Sequence, residues 1–64
     1  GRLAAGVADE LGDPAWLFVE PKGPSVAFHV RQADDVAAAR DAVLGAIATV
    51  EAYLDSELAR ARGV

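Results

Sequence analysis

The sequence predicts an α+β fold in one small domain: a helix, two strands closed into an antiparallel hairpin packed on helices, and a second, longer helix. Three observations predict it. Apolar residues recur at helical spacing toward both ends of the chain. The middle alternates apolar and polar residues on either side of Pro21-Lys22-Gly23-Pro24. A chain of 64 residues has room for one core only, burying about 60% of its unfolded surface.

The first helix is expected over residues 2–11. Leu3, Ala4, Val7, Ala8 and Leu11 fall at i, i+1, i+4, i+5 and i+8, the apolar stripe of an amphipathic helix. Gly12-Asp13-Pro14 stops it, because glycine suits the left-handed position after a helix and proline cannot continue one. Gly6 weakens the pattern slightly, since glycine costs about 1 kcal/mol relative to alanine inside a helix.

Residues 16–20 (WLFVE) and 25–31 (SVAFHVR) read as strands, rich in β-branched and aromatic side chains. The four residues between them have the composition of a tight reversal, with no Asn-Gly pair to fix its type. A four-residue loop sets Glu20 opposite Ser25, Phe18 opposite Ala27 and Trp16 opposite His29. Val19 then meets Val26, and Leu17 meets Phe28. Opposite residues share a face, so Leu17, Val19, Val26, Phe28 and Val30 make one wholly apolar face, expected to form the core. The other face carries Trp16, Phe18, Glu20, Ser25, Ala27, His29 and Arg31.

The second helix is expected over residues 35–62. Asp34 is the expected N-cap, and Asp35 complements the positive end of the helix dipole. Val36, Val43, Ile47, Val50, Leu54 and Leu58 recur at the helical period, and Arg60, Arg62 and Gly63 suit its end. Such a helix spans roughly 42 Å at 1.5 Å per residue. Two short strands do not cover that length. The expectation is therefore a break near Gly45, or a distal half packed on another chain or on further sequence.

Composition bounds the rest. Hydrophobic residues are 53% of the chain and charged ones 25%, so it reads as globular. Much of the apolar fraction is alanine, and a core this small supplies no more than about 3–5 kcal/mol unaided. No cysteine and one histidine exclude a disulfide framework and thiolate or His-rich metal sites. A net charge of −4 argues against nucleic-acid binding. No apolar run approaches the roughly 20 residues of a membrane span, and no leader pattern opens the chain. A cytoplasmic location is expected. The opening Gly1-Arg2 reads as part of something longer or trimmed.

Glu20, Lys22, His29 and Arg31 are the candidate site residues. Taken singly, each has an ordinary explanation: a solvated strand-end carboxylate, an exposed turn lysine, a structural histidine, an arginine paired with Asp34 or Asp35. Taken together, they place a carboxylate, an ammonium, an imidazole and a guanidinium beside aromatic rings. That mixture suits a polyhydroxylated ligand, whose C–H faces lie on rings while charged groups hold its hydroxyls. An apolar sheet face of this kind otherwise calls for cover by another domain or a second copy of the chain. No nucleophile elbow, catalytic triad or glycine-rich phosphate loop is present, since Gly23-Pro24-Ser25-Val26 does not match G-x-S-x-G.

Glu20-Pro21-Lys22, followed by Ser25-Val26-Ala27-Phe28-His29-Val30-Arg31, resembles the cap domain of trehalose-phosphate phosphatases of the haloacid-dehalogenase superfamily. The family pattern is an E-x-K turn, a short apolar strand ending H-Y-R, and a helix; Val30 stands where the tyrosine is usual. The resemblance covers roughly residues 3–47. It implies a partial cap domain in which Glu20 and Lys22 hold sugar hydroxyls of trehalose 6-phosphate, with His29 and Arg31 supporting that surface or binding the ligand directly. It also implies a separate core domain that carries the catalytic aspartate, a lysine and magnesium. None of those motifs is in this chain, which therefore has no catalytic or metal residue of its own and needs no cofactor. The family's later cap strand, with a further sugar-binding glutamate, is absent, and residues 51–62 continue as helix instead. The rival expectation is a non-catalytic interaction module that forms a homodimer through its long helix or its aromatic sheet face.

Overall fold

The computed structural model describes residues 2–63 and has the expected element order: α1 (Arg2–Glu10), β1 (Phe18–Lys22), β2 (Ser25–His29) and α2 (Val36–Ala61). The class is α+β, with one two-stranded antiparallel sheet.

The helix α1 ends as its sequence dictates. The Gly12 N–H donates to the Asp9 carbonyl at 3.0 Å and the Asp13 N–H to the Ala8 carbonyl at 2.7 Å. With Gly12 at φ 77°, this pair of bonds is a Schellman motif. Asp13 follows at φ 51°, a conformation that aspartate tolerates better than most residues. A further turn, in which the Leu17 N–H donates to the Pro14 carbonyl at 3.1 Å, uses up the chain as far as Leu17. Trp16 therefore lies in this connection and not in a strand.

The hairpin corrects the expected register. Phe18 pairs with His29, Val19 with Phe28, Glu20 with Ala27, Pro21 with Val26 and Lys22 with Ser25. The loop is two residues, Gly23-Pro24. Gly23 has φ 66° and proline has a fixed negative φ, the combination of a type II′ turn, whose twist matches that of the strands. So β1 runs on through Pro21 and Lys22, two residues beyond the expected end. The strand β2 stops at His29 because Val30 begins a turn, closed by the Ala33 N–H donating to the Val30 carbonyl at 2.9 Å.

The second helix runs unbroken through Gly45. Its N-cap is Asp35, not Asp34: Oδ1 of Asp35 accepts the Ala38 N–H at 3.0 Å. Its distal half is covered by α1, which lies antiparallel to it. Arg2, at the start of α1, pairs with Glu57, while Gly6 meets Val50. A Cβ on Gly6 would lie 2.8 Å from Cγ1 of Val50, so glycine is what allows the two helices to approach this closely.

The core is small: Val7, Val43, Ala46 and Val50 form its buried centre. Leu3, Leu11, Trp16, Leu17, Phe28, Val30, Ile47 and Leu54 pack partly buried around it. Of the hairpin's apolar face, Leu17, Phe28 and Val30 reach this core. Val19 and Val26 instead border a groove of about 610 Å³ between the hairpin tip and the start of α1, lined also by Leu3 and Ala4. The hairpin is thus anchored at its base, and its tip stands off.

Candidate functional site: the polar face of the hairpin

Glu20 and His29 lie on one face of the hairpin and touch. Nε2 of His29 is 2.8 Å from Oε1 of Glu20. A carboxylate only accepts, so Nε2 carries the hydrogen and donates it. The contact is diagonal across the register, since Glu20 pairs with Ala27 and His29 with Phe18. The small side chain of Ala27 leaves room for it. Phe18, directly opposite His29, sets its ring 5.7 Å from the imidazole at 36° between planes, which fixes the other side of the ring. The side chains of His29 and Glu20 remain 40% and 47% exposed, so both retain polar atoms free to meet a ligand.

These residues line a concavity of about 470 Å³, whose walls include Trp16, Phe18, Glu20, His29, Arg31 and Gln32. Its aromatic wall is Phe18, which is 60% exposed, with Trp16 beside it. Trp16 arrives from the connection after α1, with the ring both packed against the core and lining the cleft. The sequence reading placed it across from His29 in a strand; that position belongs to Phe18. Arg31 arrives from the turn after β2, exposed, and Gln32 from the same turn.

Three of the four candidate residues are therefore brought together: Glu20, His29 and Arg31. Lys22 is not. It shares the face of Glu20 two residues on, at the hairpin tip, exposed and outside the cleft, next to Ser25, whose hydroxyl donates to the Lys22 carbonyl at 3.4 Å. Gln32 is a lining residue that sequence reasoning missed. Its only signal was adjacency to Arg31, because it lies beyond the strand, where alternation no longer assigns a face.

Chemically, the cleft offers one carboxylate, a ring N–H already held by it, a guanidinium, an amide and two aromatic surfaces. That set can bind and orient a polar molecule. Among the described residues no group of three or more His, Asp or Glu side chains gathers to hold a metal. Among the described residues no helix is long and apolar enough to cross a membrane. Comparison with known protein families, with curated proteins and with solved structures finds no match to this chain.

Proposed function

We propose that this cleft binds a sugar, and that the chain is the specificity portion of a phosphatase cap acting on trehalose 6-phosphate beside a separate catalytic core in the cytoplasm. The observation that carries the reading is the cleft itself: exposed aromatic surface and the Glu20–His29 pair share one concavity with Arg31. Sugar hydroxyls are met by charge-assisted bonds to the carboxylate and guanidinium, and sugar C–H faces by Phe18 and Trp16. Glu20 accepts from hydroxyls through the oxygen that His29 does not use. His29 orients the carboxylate. Lys22 reaches only a ligand that extends past Glu20 toward the hairpin tip. The resemblance of Glu20-Pro21-Lys22 and His29-Val30-Arg31 to the cap motif supplies the identity of the sugar.

In this reading the chain performs no bond cleavage. It positions the sugar and excludes water when the cap closes, and such closure often sets turnover. Magnesium belongs to the core domain, and no step assigned to these residues passes through it. Of the alternative, a homodimer through α2 or through the aromatic sheet face, the α2 form has less support. Leu44 and Leu58 are exposed on one side of α2 with Glu51 between them, while Tyr53 is exposed on the opposite side, so they form no continuous seam.

The test is a titration of the isotope-labelled chain with trehalose and trehalose 6-phosphate, read by amide and Trp16 indole shifts. Saturable shifts are expected at Trp16, Phe18, Glu20, His29 and Arg31. Glu20→Gln should weaken binding about tenfold, the loss of one charge-assisted hydrogen bond. Shifts confined to other surfaces, or an unchanged affinity in Glu20→Gln, would refute the assignment.

A further inference from the structure

On the other side of His29 and Arg31 lies a second concavity, a trough of about 380 Å³ between the end of β2 and the first half of α2. Its floor is apolar: Phe28, Val43 and Ile47. Its lip includes Val36 and Leu44, which stay 37% and 58% exposed. Two guanidiniums line it, Arg31 from the turn after β2 and Arg40 from α2, and no carboxylate does.

That charge pattern runs against the rest of the chain. The protein carries ten acidic and six basic residues, yet two of the six basic ones flank this apolar trough without an acid among its lining. Neither guanidinium forms an ion pair among the described residues. Arg40 also has no helical partner available. The positions three and four residues away on α2 are Ala37, Val36, Val43 and Leu44, while Asp41 is one residue on and faces elsewhere. A carboxylate three or four residues away is what can pair with a solvated helix arginine. Here the carboxylate is missing and the neighbouring surface is hydrocarbon.

We propose that the trough binds a medium-chain aliphatic carboxylate, with its tail on Phe28, Val43 and Ile47 and its head between Arg31 and Arg40. Burial of the tail supplies a non-directional attraction, and the guanidiniums supply the orientation. The head is a carboxylate and not a phosphate. A guanidinium fork matches the two coplanar oxygens of a carboxylate bidentately, and a single negative charge leaves less to desolvate beside Val36 and Leu44 than a phosphate would. This site adjoins the sugar cleft through Arg31 but does not rest on that reading. The two share the His29–Arg31 wall, but Arg40 and Leu44 line the trough alone.

The probe is octanoate below its micelle-forming concentration, titrated into the labelled chain, with 1-octanol and octyl phosphate as comparisons. Saturable shifts are expected at Phe28, Val43, Leu44 and Ile47. Octanol should bind about tenfold more weakly or worse, and Arg40→Gln should weaken octanoate by a similar factor, the worth of one charge-assisted contact. Leu44→Glu, at an exposed position that leaves the buried core untouched, should abolish octanoate binding by placing a like charge at the lip. Both variants should leave trehalose-induced shifts at Trp16 unchanged, which keeps the two sites distinguishable. The proposal is overturned by absence of saturable shifts, by equal binding of octanol, or by octanoate affinity unaltered in both variants. Tighter binding of octyl phosphate than of octanoate would overturn the choice of head group.

Discussion

The helix pair and the hairpin are built to different tolerances. Between α1 and α2 the backbones approach until Gly6 has no space for a methyl group, and the fully buried Val7 sits beside it. The hairpin is regular within itself, but its apolar face meets the helix core at its base, through Leu17, Phe28 and Val30, and Val19 and Val26 border an open groove. Every buried residue of the described chain is on a helix; every residue of the Glu20–His29 cleft is on the hairpin or its flanking turns. The lesson is a division of labour. Folding energy comes mainly from the seam between the helices, so the polar face of the hairpin is free to carry partly exposed charges that a core of this size could not bury.

The sharpest way to break that comparison is one methyl group at the seam. Gly6→Ala gains about 1 kcal/mol of helix propensity, but the new Cβ meets a stiff β-branched Val50 side chain at 2.8 Å. Overpacking costs about 1–3 kcal/mol, so a net loss of up to about 2 kcal/mol is expected as a lower urea midpoint. Gly6→Ala with Val50→Ala should recover part of it. Gly45→Ala is the control: a Cβ there meets nothing within 4 Å, so it should raise stability by about 0.5–1 kcal/mol. Equal effects at Gly6 and Gly45 would show that the seam is not tight.

A second substitution tests the hairpin side. Gly23→Ala forces an L side chain into φ 66° at the first position of a type II′ turn, which costs about 1–2 kcal/mol. Because the hairpin's apolar face meets the helix core at its base, this loss should loosen the cleft more than the core. Amide exchange should accelerate at Glu20 and Ala27 while Val43 and Val50 stay protected. Uniform acceleration across the chain would mean that hairpin and helix pair unfold as one unit.

The order of elements was legible because helical and strand periods are strong signals and this chain contains both. The membership of the hairpin faces was legible for a narrower reason. The true pairing differs from the expected one by two residues, and side chains alternate with a period of two, so the slip changed every partner and no face. That is why Glu20 and His29 met although neither was assigned its correct neighbour. What the sequence hid was set by tertiary contact or by backbone conformation. Gly23 marks a type II′ turn only once φ is known, Trp16 left the strand because two consecutive turns consumed its segment, and Gly6 looked like a defect until Val50 lay against it. Asp34 and Asp35 are equivalent as caps in sequence, and only the bond to Ala38 separates them.

The smallest expected effect lies where the seam ends, at the pair between Arg2 and Glu57. The hydrogen bond from Arg2 holds the Glu57 carboxyl below its ordinary value; partial desolvation opposes this, and the Arg2 charge, Tyr53 and Arg60 add to the lowering. A carboxyl with a lower pKa folded than unfolded stabilises the fold at pH above the ordinary glutamate range, and loses that contribution as pH falls through the lowered folded value. Arg2 is 72% exposed, so screening keeps the pair's worth small. Glu57→Gln should therefore lower the urea midpoint slightly at pH 7 and by less at pH 3, and added salt should shrink the difference at pH 7. Because the other carboxylates titrate alike in both proteins, the difference isolates Glu57. A gap of the same size at both pH values would mean that Glu57 acts by packing its stem beside α1, and that the seam extends past the last residue it buries.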